Sequence, residues 1–345
     1  MTRQWRMTCE IADQPDVFEA RATHWMSAAE PLREVIQRRS RLALLGRGSS
    51  KNACVYASLL YGLATGQQAV RFRPWLTTID VPRADWSDTA ALVFSASGQS
   101  TDIARAAQWI VDRGGYTVGV TNAERGEPCA LEESTDSLLH LDVGDERAVP
   151  ATKSFNAQLL ASAALLGFDV EAAIPELAQC LRALEEREVA KELADLIGDA
   201  RTVAWIARGP SMAAARDAAL KCRECARLDS TGWSAAEIQH GHIGSLDHRD
   251  RAVIFSDANQ PAGSFSALSK GLLNRNTPFA VIGLDYYREN GASAAPVLQL
   301  ELPQKRWARP IVFAYLSQQV ALELAVRQGL DPDYPAGLQK VTETL

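Results

Sequence analysis

Residues 91–115 read ALVFSASGQSTDIARAAQWIVDRGG. Ala91 to Phe94 form an apolar run suited to a buried strand, and the stretch from Asp102 onward has the apolar spacing of an amphipathic helix. Between them Ser95, Ser97, Ser100 and Thr101 crowd around Gly98. Strand, glycine-bearing turn and helix in that order make half of a βαβ unit, the building block of a parallel sheet. In open parallel sheets, ligands sit at the carboxyl ends of the strands, where helix N-termini present N–H groups. Two readings of the turn stand. Its hydroxyls and N–H groups surround an oxygen-rich anion such as phosphate, or the serines only form a turn and cap the helix.

The same rhythm runs through the chain. RLALLG, QAVRFRP, YTVGVTN and DSLLHLD read as further strands of a first half; RTVAWIARG, RAVIFSDA, FAVIGLD and APVLQLELP read as strands of a second. The halves look like weak copies. LALLGRGSS is echoed by VAWIARGPS, YTVGVTN by FAVIGLD, and each half closes on a long helix, SFNAQLLASAALLG or PIVFAYLSQQVALELAVRQG. The closing helices look apolar enough to pack between subunits. Where the first half has SASGQS, the second has FSDANQPAG, without the serine cluster. That contrast favours the anion reading, because a purely structural turn has no reason to differ between copies.

Composition narrows the functional classes. The 345 residues are too many for one typical domain, and 47% are hydrophobic, enough for buried cores. The net charge of −6 argues against nucleic acid as a partner, since phosphodiester binding relies on a broad basic surface. No stretch is apolar over the length a membrane helix needs, and the first residues, MTRQWRMTCEIADQPDVF, lack a signal peptide's apolar core, so a cytoplasmic location is expected. Of six cysteines only Cys222 and Cys225 form a C-x-x-C pair. They lie in AALKCRECARL, with the composition of a helix interior, and read as ordinary thiols rather than a zinc or redox site.

The segment ALKCRECARLDSTGWSAAEIQHGHIGSL gathers most of the chain's other chemistry. Lys221 and Glu224, three apart on a helix, share a face. DSTGW reads as a turn. Beyond it Glu237, His240 and His242 collect near two glycines. Histidine changes charge near neutral pH and a glutamate can shuttle protons, whereas the i, i+2 histidine pair lacks the H-E-x-x-H spacing of a zinc site. An exposed loop of solvated charges is the alternative.

Together these motifs resemble the sugar isomerase (SIS) domain family, in particular the isomerase half of glucosamine-6-phosphate synthase and its relatives without a glutaminase half. MTCEIADQP, GRGSS, SASGQS, ERAVPATKSFNAQ, LKCRECARLDSTGWSAAEIQHG and LQKVTETL follow the family's order over nearly the whole chain. The resemblance implies two tandem doubly wound, flavodoxin-like α/β domains with a C-terminal tail: an N-terminal helical segment (1–32), a first SIS domain (33–172), a helical linker (173–194), a second SIS domain (195–330) and the tail (331–345). It implies phosphate held by Ser95, Ser97 and Ser100, with Gly48, Ser49, Ser50, Ala96, Val149 and Ala151 near the sugar. Glu224 becomes the proton shuttle with Lys221 beside it. His240 opens the sugar ring from the neighbouring subunit of a homodimer, and Lys340 meets the open-chain carbonyl. No role follows for His242, and no metal or other cofactor is implied.

The departures are Ala96 and Ala151, where the synthases have Gln and Ser, and a chain that begins almost at the isomerase half, so synthesis from glutamine is not expected. The expected activity is that of an amino-sugar phosphate deaminase–isomerase, converting glucosamine 6-phosphate to fructose 6-phosphate and ammonia. A deglycase of phosphorylated sugar–amino-acid adducts and a non-catalytic phosphosugar sensor are the alternatives.

Overall fold

The computed structural model describes residues 5–257, 265–283 and 297–340. It divides into two units, one drawn from Asp16–Arg147, Ala151–Pro175 and Gln339–Leu345, the other from Met1–Pro15, Ala148–Pro150 and Glu176–Leu338.

The first unit is built on a five-stranded parallel sheet: β1 (Arg41–Gly46), β2 (Val70–Arg71), β3 (Thr89–Phe94), β4 (Tyr116–Thr121) and β5 (Ser137–His140), in the order β2-β1-β3-β4-β5. The helices between them are α3 (Gly48–Thr65), α4 (Thr101–Val111) and the short α5 (Ala130–Glu133), with α6 (Lys153–Leu165) after β5. The central strands are buried on both faces, and so they read as continuous apolar runs. Ile103, Ala106, Ala107 and Ile110 of α4 pack with Ala43, Leu45, Ala91 and Val93 of the sheet. β2 is shorter than the run QAVRFRP suggested, and both of its residues are exposed at the sheet edge.

The second unit repeats the plan. β6 (Val203–Ala207), β7 (Ser230–Ser234), β8 (Arg251–Ser256), β9 (Phe279–Gly283) and β10 (Val297–Gln299) form a parallel sheet in the order β10-β9-β8-β6-β7. Numbered within its own half, each sheet runs 2-1-3-4-5, the flavodoxin-like doubly wound order. Helices α9 (Met212–Ala226), α10 (Ser266–Asn274) and α11 (Arg309–Arg327) accompany this sheet, with α8 (Val189–Ile197) and the N-terminal α1 (Arg6–Ala12). Two further helices, α2 (Gln14–Gln37) and α7 (Val170–Glu185), contribute residues to both units.

Two expectations need correction. DSTGW is not a turn: Ser230 to Ser234 form the edge strand β7, parallel to β6. Its glycine serves close packing, because a Cβ on Gly232 would lie 2.6 Å from Arg216 Cα and 2.8 Å from the Ala215 carbonyl oxygen of α9. The closing helices do not hold their apolar faces out for a second copy. Every residue of α6 is buried within the chain, as is most of α11. Residues 258–263 of the FSDANQPAG stretch lie outside the described residues.

The packing at Gly232 leads to a test. Gly232→Ala forces a methyl against helix backbone that cannot move alone, and should lower stability by about 1–3 kcal/mol in thermal or urea unfolding. Gly244→Ala, where a Cβ meets nothing within 4 Å, is the control and should lie near wild type. Equal stability of the two variants would contradict the strand assignment.

Candidate functional site

In a sheet of order 2-1-3-4-5 the switch point lies between the first and third strands. In the first unit the loops after β1 and β3 meet there. Gly98 turns the second loop with φ +70, and an added Cβ would come within 2.5 Å of Cys129 Sγ, so only glycine fits. The loop is braced from the segment after β4: the amides of Asn122 and Leu131 donate to the carbonyls of Ala96 and Gly98, both at 2.9 Å. Arg47 Nε, after β1, reaches Asp102 of α4 at 2.7 Å and ties the two loops together.

The hydroxyls of this loop are not consumed in capping. Ser100 stands at the N-cap of α4 without a side-chain capping bond, and its Oγ accepts from Ser95 Oγ at 3.2 Å. Ser97 Oγ accepts the Gln99 amide at 3.3 Å. In the first turn of α3, just after β1, Gly48 is exposed with φ +53, while Ser49 and Ser50 are buried; Ser50 Oγ accepts from Gln158 Nε2 at 3.0 Å.

A cleft of about 510 Å³ opens beside the serine loop. Of the residues picked from sequence, Ala96, Ser97 and Lys340 line it, together with Arg21, Asn122, Arg125, Asp142, Asp145, Glu146 and Ser154. Glu146 organises one wall and was not singled out from the sequence. Its side chain is 3% exposed and accepts from Thr152 (amide 2.9 Å, Oγ1 3.1 Å), Ser154 (amide 3.0 Å, Oγ 2.6 Å) and Lys340 Nζ (2.9 Å). Burial opposes the carboxylate's charge, but Lys340 and the Ser154 hydrogen bonds outweigh it and hold its pKa down at about 2. The tail lysine expected at the substrate carbonyl is thus anchored at the cleft by Glu146. Ala151, partly exposed, lies just before Thr152.

The other residues picked from sequence belong to the second unit, where each is described by itself. Lys221 on α9 is fully buried, with Nζ 2.8 Å from Glu224 Oε2 and 3.9 Å from Asp217 Oδ2. Burial works against its charge, yet Asp217 and Glu224 outweigh burial and raise its pKa. The Glu224 side chain keeps 22% exposure. This is no solvated surface pair, and the spacing that put Lys221 and Glu224 on one face also admits Asp217, one turn earlier. His240 is exposed, just past a 3-10 turn (Glu237–Gln239), and among the described residues no hydrogen bond or ion pair joins it to Glu224. His242, unassigned by sequence, stacks on Trp233 of β7 with ring centroids 3.8 Å apart. Val149, partly exposed, donates its amide to the Asp333 carbonyl at 2.8 Å.

The Glu146 network carries a pH signature. A folded-state pKa of about 2, below the usual carboxylate value, stabilises the fold above pH ~4.5, and this stabilisation is lost as pH falls towards 2. Comparing unfolding free energies of wild type and Glu146→Gln, the gap should be roughly constant from pH 5 to 7 and shrink between pH ~4.5 and ~2. A gap independent of pH would contradict the network.

Comparison with known proteins places this geometry. The family model described as "SIS domain" matches residues 35–167. The isomerizing glutamine–fructose-6-phosphate aminotransferase of Pyrobaculum aerophilum is 28% identical over 359 residues, covering 97% of this chain and 56% of that protein. The chain spans about half the length of the curated relatives it matches. Among solved structures, the C-terminal domain of glucosamine-fructose-6-phosphate aminotransferase from Francisella tularensis superposes with a TM-score of 0.80 at 17% identity, over 97% of this chain and 99% of that one. Glucosamine-6-phosphate deaminase from Thermotoga maritima superposes with a TM-score of 0.74 at 19% identity, over 98% of this chain and 100% of that one. These two likenesses show a shared fold. With the serine loop at the switch point of a 2-1-3-4-5 sheet, residues 35–167, from β1 to α6, match the SIS domain model, and the chain as a whole is similar to the isomerizing aminotransferases.

Proposed function

We propose that the protein is a phosphosugar isomerase of the SIS family acting on an amino-sugar phosphate, with glucosamine 6-phosphate converted to fructose 6-phosphate and ammonia. The observation that carries the reading is the α9 arrangement, a partly exposed Glu224 carboxylate held at 2.8 Å by a fully buried lysine. A carboxylate fixed on a rigid helix suits a proton shuttle between adjacent carbons. In the proposed sequence His240, supplied by a second copy of the chain in a homodimer, opens the ring. The C1 aldehyde then acidifies the C2 proton, which Glu224 removes and returns to C1. The nitrogen is left as an imine at C2, and water hydrolyses it to the ketone and ammonia. The loop of Ser95, Ser97 and Ser100 holds the phosphate, and Lys340 meets the open-chain carbonyl. The steps need only side chains and water.

A second reading, the deglycase, is favoured by one feature. The cleft lining carries Arg21 and Arg125 as well as Asp142 and Asp145, charges of both signs that suit the zwitterion of an amino-acid adduct. The product separates the readings, ammonia for the deaminase and an amino acid for the deglycase. A sensor needs neither Glu224 nor Lys340 for binding alone.

Incubation with glucosamine 6-phosphate should release ammonia and fructose 6-phosphate in equal amounts. Ser97→Ala/Ser100→Ala should raise KM at least tenfold with little change in kcat, since each hydrogen bond to a charged group contributes about 1.5–3 kcal/mol. Absence of ammonia from every hexosamine 6-phosphate, or an unchanged KM, would overturn the proposal.

A further inference from the structure

Ser50 lies in the first turn of α3, at the switch-point end of β1, and its backbone is pressed against that strand. A Cβ on Gly46 would come within 2.7 Å of the Ser50 carbonyl oxygen, so helix and strand meet there with no side chain between them. With the backbone fixed, only the hydroxyl is left to orient. A serine hydroxyl has one proton to donate and two lone pairs to accept with. The Ser50 Oγ accepts from Gln158 Nε2 at 3.0 Å, and among the described residues it donates to nothing. A serine in a helix otherwise turns its proton back on a carbonyl three or four residues earlier.

Gln158 is an unexpected occupant of its place. It is 1% exposed on α6, a helix buried along its whole length that packs along α3. Its Oε1 is buried and has no hydrogen-bond partner among the described residues. A buried amide satisfied on one side only is less favourable than an apolar side chain of the same shape. Packing alone would be served as well by methionine. What the amide adds is direction. By donating to Ser50 Oγ it occupies a lone pair and leaves the proton for another acceptor, whereas a carbonyl or carboxylate oxygen in its place would draw that proton inward.

We propose that Gln158 is a positioning residue of the switch-point site, holding Ser50 as a hydrogen-bond donor to an oxygen of the sugar. The proposal rests on the reading of the Ser95–Ser100 loop as the phosphate site. The division follows from place. The hydroxyls of Ser95, Ser97 and Ser100 gather on the loop after β3 and serve the phosphate oxygens, while Ser50 follows β1, across the switch point, and serves the sugar that the phosphate carries.

Calorimetric titration of the full chain with two probes tests it: inorganic phosphate, and glucitol 6-phosphate, an open-chain sugar phosphate that cannot isomerise. Gln158→Met should weaken glucitol 6-phosphate about three- to tenfold and leave inorganic phosphate within about twofold, the loss of one neutral hydrogen bond. Its thermal unfolding midpoint should equal or exceed wild type, because a buried unpaired oxygen is removed. Ser50→Ala should weaken the sugar phosphate at least as much. Gln158→Met/Ser50→Ala should be no weaker than Ser50→Ala alone, since the amide acts only through the hydroxyl. If Gln158→Met does not fold by circular dichroism, Gln158→Leu replaces it. Unchanged affinity in a folded Gln158 variant, or a loss that adds in full to that of Ser50→Ala, would overturn the proposal. So would equal weakening of the two probes, or wild-type affinity in Ser50→Ala. The underlying reading fails separately: Ser97→Ala/Ser100→Ala should weaken both probes, and unchanged inorganic phosphate binding in that variant removes the phosphate loop whatever Gln158 does.

Discussion

Everything at the candidate site follows from placing the first strand of each sheet inside the sheet rather than at its edge. β1 pairs in parallel with both β2 and β3, so the chain must leave it in one direction and leave β3 in the other. Loops that diverge from adjacent strands cannot cover the gap between them, and the gap becomes the place for a ligand. The serine loop, its left-handed Gly98 and the Arg47–Asp102 tie all serve to hold that opening in one shape. The second sheet has the same strand order, with Ser211 donating to Asp257, the residue after β8, at 2.7 Å.

Each unit also carries a charge pair that its surroundings oblige to stay paired. Lys221 has no exposed surface, and a buried ammonium without carboxylates would cost several kcal/mol, so Asp217 and Glu224 are structural necessities before they are anything else. Asp217 is itself buried, whereas Glu224 keeps exposure. That asymmetry gives one carboxylate to the fold and leaves the other open to solvent. Glu146 does the corresponding work for Lys340, taking donors from Thr152 and Ser154 so that the tail lysine meets an already fixed partner.

The central strands were legible because strands buried on both faces must be apolar along their buried length, as LALLG of β1 and FAVIG are. β7 was not, since an edge strand needs no such run and Gly232 mimics a turn while serving a helix that packs on its backbone. Lys221 and Glu224 could be read from helical spacing alone. The Glu146–Lys340 pair could not, because its members lie 194 residues apart and nothing local links them. The stack of His242 on Trp233 was hidden for the same reason as β7: with the strand read as a turn, the indole had no defined place.

The most direct test of Glu224 as the proton shuttle is loss of the C2 proton of glucosamine 6-phosphate to deuterated solvent, followed by proton NMR. Wild type should exchange it or carry it into product. Glu224→Gln keeps the shape and removes the base, so exchange and turnover should fall together by a hundredfold or more while the sugar phosphate still binds. A Gln variant that exchanges the C2 proton at near the wild-type rate would contradict the account.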